Sequence, residues 1–254
     1  MNRREAVKTM TAFAALTAVA PAPRAQGTLK SANVVLTHGL YADGSSWSEV
    51  IPLLQAAGAS VTSVQHPLTS LAAAADATAR VLARVSGPTV LAGHSFGGTI
   101  ISEVGAAANV AALVYVAARA PDAGEDYPAL AKRYPAGPAS AGLVFDGDEG
   151  RLTEEAFLRD FAGDLPREKA RVLYAVQQPF VRSLITERTS QAAWRSRPSY
   201  YAVCARDRTV NPDLQRFMAK RMGAHTIEVD ASHVAMISQP RRIADLILLA
   251  AHSH

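Results

Sequence analysis

The sequence predicts an α/β fold: a mostly parallel six-stranded sheet with helices on both faces and a helical cap insertion. Three observations lead there. Short β-branched runs alternate with helical patterns over residues 33–119 and again over 199–250, as expected for strands joined by crossover helices. The alternation breaks between about Ala120 and Pro198, a stretch richer in Pro, Gly and charge. The chain has 254 residues, 49% hydrophobic and 19% charged, enough for one sizeable core and too apolar for disorder.

Taken in order, NVVLTHG (33–39) reads as a buried strand and SSWSEVIPLLQAAG (45–58) as a helix. Ser46 and Glu49 have the spacing of a capping box, while Pro52 within the pattern predicts a kink or a late start. ASVTSVQ (59–65) is a strand, SLAAAADATARVLARVSG (70–87) a helix and PTVLAG (88–93) a strand. GGTIISEVGAAA (97–108) is a helix and AALVYVAAR (111–119) a strand. Within the insertion, TEEAFLRDFAG and REKARVLYAVQQ carry helical patterns. SYYAVCA (199–205), PDLQRFMAKRMG (212–223) and HTIEVD (225–230) give strand, helix and strand. The last helix begins at Pro240, a favoured first-turn residue, and carries Ile243, Leu246, Ile247 and Ala250 on one face.

Residues 1–25 read as an export signal, with 26–254 as the domain proper. MNRREAVK is a basic n-region, TMTAFAALTAVA is apolar but too short to span a bilayer, and small residues and prolines follow. Arg3-Arg4 resembles a twin-arginine signal, which exports folded proteins. The expected location is therefore outside the cytoplasm, in the periplasm or secreted, with cleavage after Ala22 or Ala25. The signal holds Arg3, Arg4, Lys8 and Arg24 against Glu5, so the formal charge of +4 belongs mostly to it. The remaining chain is near neutral and has no basic stripe interleaved with aromatics, which excludes nucleic acid as a partner. No later segment is apolar enough for stable membrane insertion. Cys204 is the only cysteine, so no intrachain disulfide is available, in keeping with folding before export.

The chemistry centres on Gly93-His94-Ser95-Phe96-Gly97, a G-x-S-x-G pattern between a strand and a helix. A serine on so tight a turn sits in strained backbone, and side chains at Gly93 and Gly97 would collide. The following helix directs its N-terminus at the reaction centre, so the N–H of Phe96 is a candidate oxyanion donor. The pentapeptide lacks the lysine of a phosphate loop and the spacing of a dinucleotide turn.

A serine nucleophile needs a base and an orienting acid. Among seven histidines, His252 and His254 lie in the tail, and His66 follows the second strand and reads as a surface residue. His94 adjoins Ser95 but should point away from it, and His225 opens a strand at the opposite edge of the sheet. His233, in DASHVAM, lies past the carboxyl end of the last strand, on the edge that carries Ser95. Asp207, in ARDRTVNP, lies past the end of the preceding strand and is the candidate acid. Asp122 is its main rival, and Asp230 is too near His233 in sequence. His38-Gly39-Leu40-Tyr41 follows the first strand, where the N–H of Leu40 is the second candidate oxyanion donor.

HGLYADGSSW, GHSFGG, ARDRTVNP and ASHVAMISQP together resemble the α/β-hydrolase superfamily, and more narrowly its small esterase-like branch. That branch includes plant methyl esterases, hydroxynitrile lyases and bacterial ester hydrolases. The resemblance covers nearly all of residues 31–250, and the usual leading pair of strands is missing. It implies a triad of Ser95, His233 and Asp207, a cap over residues 120–198, and hydrolysis of a carboxylic ester through an acyl-enzyme without cofactor or metal. Hydroxynitrile lyases carry Thr and Lys where this chain has Gly39 and Val234, which disfavours lyase chemistry. A ligand-binding receptor on a hydrolase body is the alternative of a different class. The DGDE run at 146–149 has too few spaced oxygen ligands for a calcium loop. Substrate choice falls to Leu40, Tyr41, Phe96 and the cap. The cap's Phe145, Phe157, Leu173, Tyr174, Phe180, Val181 and Trp194 point to a small to medium apolar ester. The acyl and alcohol parts and the oligomeric state are left open.

Overall fold

A computed structural model describes residues 29–254; the export signal expected over residues 1–25 lies outside them. Six strands form one sheet: β1 (Asn33–Thr37), β2 (Ser60–Val64), β3 (Thr89–His94), β4 (Val110–Val116), β8 (Ser199–Cys204) and β9 (His225–Val229). Their order is β2-β1-β3-β4-β8-β9, and every neighbouring pair is parallel. The interior strands β3 and β8 are buried along their whole length, whereas β2 and β9 at the edges are largely exposed. This explains why the interior strands read as unbroken apolar runs: both faces are covered.

Alternate strand residues enter two cores. Val34, Leu36, Val90 and Ala92 face a layer made by Trp47, α1 (Ile51–Ala56), α8 (Ala235–Ser238) and α9 (Pro240–Ser253). Val35 and Leu91 face the other layer, with α2 (Leu71–Leu82), α3 (Gly97–Val104) and α7 (Pro212–Arg221). The apolar stripe of α9, from Ile243 to Ala250, is buried as its spacing predicts.

Two local expectations change. The first helix starts late, as Pro52 requires, after a 3-10 turn over Gly44–Trp47. That turn is capped by Asp43, which accepts from the Ser45 N–H at 2.7 Å, so Ser46 and Glu49 form no capping box. β4 ends at Val116 rather than Arg119, because Ala117 takes φ 46°, a left-handed conformation no strand accommodates.

The segment between β4 and β8 holds the two expected helical stretches. One is α5 (Glu154–Ala156) running into a π-helical turn at Phe157–Phe161; the other is α6 (Arg167–Ala175). It also holds α4 (Tyr127–Ala131) and a three-stranded antiparallel sheet that sequence reading did not reveal. That sheet comprises β5 (Leu143–Asp146), β6 (Glu149–Leu152) and β7 (Phe180–Val181). Its strands are four, four and two residues long, too short to leave a periodic signature. The DGDE run is the hairpin turn between β5 and β6, with Gly147 at φ 55°.

Candidate active site

Ser95 sits between β3 and α3 with φ 53°, a conformation that costs a non-glycine residue roughly 1–3 kcal/mol and collects at functional turns. Close packing dictates the flanking glycines. A Cβ on Gly93 would lie 2.6 Å from the Gly97 backbone, and one on Gly39 would lie 2.7 Å from Ser95 Cβ. The chain after β1 can therefore pass against the serine only as glycine.

Asp207 and His233 meet as the sequence predicts. His233 Nδ1 lies 2.7 Å from Asp207 Oδ2, and both side chains are fully buried. Because the carboxylate oxygen accepts, Nδ1 carries the proton of this bond. Nε2 is buried and has no partner among the described residues. Asp207 is held by three further donors: the N–H groups of Thr209 and Val210 on Oδ1, and the Gln215 amide at 2.7 Å on Oδ2. The rival acids are engaged elsewhere, Asp122 with Arg195 and Asp230 with Arg206.

The Ser95 hydroxyl makes no hydrogen bond among the described residues. Its link to His233 runs through its sequence neighbour: His94 Nε2 donates to the His233 carbonyl at 2.9 Å, and the two rings lie 4.7 Å apart. The sequence predicts that His94 turns away from Ser95; its ring reaches the loop that carries His233. Burial, with the His233 and His38 rings nearby, holds the His94 pKa well below its ordinary value.

Neither the Leu40 N–H nor the Phe96 N–H, the latter on the residue directly after Ser95, donates to a protein acceptor among the described residues. The loop bearing Leu40 is fixed from behind by a second histidine pair. His38 and His66 stack with centroids 3.6 Å apart and an interplanar angle of 8°, and His66 Nε2 donates to the His38 carbonyl at 3.2 Å. His66 is thus buried, not a surface residue as expected. It follows β2, the parallel neighbour of β1, so its ring emerges beside His38. Burial lowers the pKa of both rings, that of His66 to about 3.

The π-helical turn of the insertion and the bend that follows it grip both loops. Asp160 accepts from Arg208 Nε at 2.7 Å, next to Asp207, and Asp164 accepts from the Ser232 N–H at 2.9 Å and from its hydroxyl, next to His233. Burial alone would raise the Asp160 pKa, but hydrogen bonds from Arg159 and Arg208 outweigh it and hold the carboxyl below the usual range.

A cavity of about 210 Å³ opens on Ser95. Leu40, Tyr41, Leu143, Ile185, Val210 and Leu214 supply much of its apolar wall, and Arg119, Tyr127 and Asn211 are among its polar lining. Tyr41 both lines the cavity and packs beneath the insertion, its ring edge-on to Phe161 and Phe180. None of the seven apolar cap residues named from sequence lines this cavity. Phe157 and Leu173 line a separate small recess, and Phe145 and Phe180 pack in the cluster with Phe96 and Ile100. Their bulk fastens the insertion to the body. Among the described residues no group of three His, Cys, Asp or Glu side chains is placed to hold a metal ion, and no helix is long and apolar enough to cross a membrane.

A doubly covered parallel sheet with a strained serine after one strand, and a His–Asp pair on later loops, defines a hydrolase class. The chain belongs to the alpha/beta hydrolase family, whose family model matches residues 34–246. Within it, the chain is similar to salicylic acid-binding protein 2 of Nicotiana tabacum, 27% identical over 257 residues, covering 87% of this chain and 97% of that protein. In fold it is similar to polyneuridine aldehyde esterase, with TM-score 0.74 and 19% identity over 86% of this chain and 98% of that one. It is likewise similar to a pyrethroid hydrolase from Sphingobium faniae JZ-2, with TM-score 0.73 and 23% identity over 87% and 97%.

Proposed function

We propose that the protein is a serine hydrolase that cleaves a small to medium carboxylic ester through an acyl-enzyme. The observation that carries this reading is the buried His233–Asp207 pair with its free Nε2, tied through His94 to a serine in left-handed backbone. Two of the similar proteins are named esterase and pyrethroid hydrolase, which supports ester chemistry.

In this reading Ser95 Oγ attacks the ester carbonyl while His233 Nε2 takes its proton. Asp207 keeps the imidazole in the Nδ1–H form and stabilises the imidazolium. The N–H groups of Leu40 and Phe96 receive the oxyanion, a contribution of roughly 3–4 kcal/mol per donor in well-studied hydrolases. His233 then returns the proton to the departing alcohol, and water repeats the cycle on the acyl-enzyme. Catalytic hydrogen bonds are commonly long without substrate, so Ser95 closes on Nε2 when the site fills. The positive-φ residue Tyr41 borders the acyl or alcohol group. We also propose that residues 1–25 direct export, a reading supported by the basic n-region with Arg3-Arg4 and the short apolar stretch that follows it.

The test is turnover of p-nitrophenyl acetate and butyrate by the protein and by Ser95→Ala. The reading expects a burst and steady hydrolysis that the variant loses by at least a thousand-fold. Equal rates for both would sink it.

A further inference from the structure

We infer that the ester this site accepts carries a second, anionic group, a carboxylate, seated on Arg119. The inference rests on the esterase reading and adds to it what else the substrate holds.

Arg119 lies three residues past the end of β4, and its position beside the serine is fixed by the backbone: its N–H donates to the Ser95 carbonyl at 3.0 Å. Its guanidinium lies over two aromatic rings, with Cζ 4.7 Å from the centroid of Tyr127 and 5.8 Å from that of Phe96. Among the residues lining the cavity that opens on Ser95, Arg119 alone is charged. Its only side-chain hydrogen bond to protein among the described residues is to the Leu184 carbonyl at 3.4 Å. No carboxylate among the described residues pairs with it.

That vacancy is not for want of acids nearby. The loop that follows Arg119 contains Asp122, Glu125 and Asp126, and each is taken by a different arginine. Asp122 pairs with Arg195, Glu125 with Arg221 at 2.6 Å, and Asp126 with Arg188 at 2.8 Å. A guanidinium half withdrawn from water and left without a counter-charge pays a desolvation penalty that an incoming anion relieves. The fork geometry of Arg suits a carboxylate in particular, and charge-assisted bonds are roughly twice as strong as neutral ones. Tyr41 and Tyr127 line the same cavity, and their hydroxyls have no hydrogen-bond partner among the described residues. Burial pushes both phenols up to about 12, so they stay protonated and able to donate. Leu40, Leu143, Ile185, Val210 and Leu214 make an aliphatic stretch of the remaining wall, which also holds Ser140, Thr209 and Asn211. The site therefore combines an ester-cleaving end, a short apolar span and a cationic end with extra donors. The half-ester of a short dicarboxylic acid has that pattern.

The test compares monoethyl adipate with ethyl hexanoate, which are close in length and differ in the terminal carboxylate. Hydrolysis is followed by pH-stat, and binding is measured separately by calorimetry on Ser95→Ala, which needs no turnover. The inference expects kcat/KM for the half-ester to exceed that for the neutral ester at least ten-fold. It expects Arg119→Met to cut that ratio ten-fold or more, and Arg119→Lys to keep part of it. In the Ser95→Ala background, monoethyl adipate should bind at least ten-fold more weakly once Arg119 is replaced by Met. If the neutral ester is hydrolysed as well as the half-ester and Arg119→Met leaves the ratio unchanged, the anion site is wrong while the esterase reading stands. If Ser95→Ala binds the half-ester through Arg119 but no ester is turned over, the anion site stands and the esterase reading falls.

Discussion

The imidazole of His94 donates from Nε2 to the main-chain carbonyl of His233 across 2.9 Å, so the residue before the serine holds the loop that carries the proposed base. The bond joins the end of β3 to the loop after β9, two chain segments 139 residues apart. His94→Phe keeps the ring volume and removes the donor. The expected result is a fall in kcat of ten- to a hundred-fold with KM little changed, since displacing a catalytic group by about 1 Å costs on that order. His94→Asn, which retains a donor, should recover part of it. A loss carried wholly by KM, or none, would count against this positioning role.

Gln215 plays the corresponding part for the acid. Its amide donates to Asp207 Oδ2 at 2.7 Å and to the Val210 carbonyl at 2.8 Å, and its oxygen accepts from the Cys204 N–H at 3.0 Å. Gln215→Leu leaves the Cys204 N–H and the Val210 carbonyl without this partner and Asp207 Oδ2 with one donor fewer. A buried group left unsatisfied costs roughly 1–3 kcal/mol. Urea unfolding should show a loss of at least about 2 kcal/mol, with kcat reduced as well. A variant as stable as the parent would mean that water or a neighbouring group takes over these bonds.

Much of this was legible in the sequence, for reasons that differ by element. The interior sheet strands could be read because apolar runs buried on both faces contrast with polar turns, the exposed edge strands β2 and β9 because of their β-branched residues between turn signals, and the Ser95, Asp207 and His233 positions followed from where those strands end. Arg119 was absorbed into a strand because nothing in VYVAARAPD marks the left-handed turn at Ala117. His66 looked like a surface residue because burial beside His38 depends on which strands are neighbours, which local pattern does not encode. Gln215 sits on a helix eight residues from Asp207, and its inward direction is set by the packing of α7 against β8. The β5-β6-β7 sheet is too short to be periodic, and Phe145, Phe157 and Phe180 of the insertion fasten it to the body, whereas Tyr127, which no sequence pattern singles out, lines the cavity.

The Asp160–Arg208 and Asp164–Ser232 contacts predict that the insertion steadies the catalytic loops. Asp160→Ala removes the buried partner and leaves Arg159 and Arg208, which are half exposed, free to rehydrate, so the cost is modest. Calorimetry should register a fall in Tm of roughly 3–6 °C, corresponding to about 1–2 kcal/mol. Asp164→Ala should lower kcat more than it lowers Tm, because it frees Ser232 beside the base. Unchanged Tm in both variants would separate the insertion from the loops.

Three buried histidines set the response to acid. Burial holds His38, His66 and His94 below their ordinary value, His66 at about 3. They are neutral in the fold and charge on unfolding once the pH drops below about 6.5, so the unfolded state binds more protons there. Stability is therefore full above that pH and falls as the pH drops below it, for His66 down to about 3, at about 1.4 kcal/mol per pH unit for each proton. Urea midpoints at pH 7.5, 5.5 and 4.5 measure the slope. His66→Gln should make it shallower by about one proton. A midpoint that does not move over this range would contradict the buried neutral state.

The central claim is that Ser95 is the nucleophile, activated by His233. It is met most directly by exposing the protein to p-nitrophenyl acetate at acid pH, to slow deacylation, and mapping the product by intact mass and peptide sequencing. The account predicts one acetyl group per chain, on Ser95, absent from Ser95→Ala and strongly reduced in His233→Ala. Acetylation at another residue with Ser95 unmodified, or full turnover by Ser95→Ala, would contradict it.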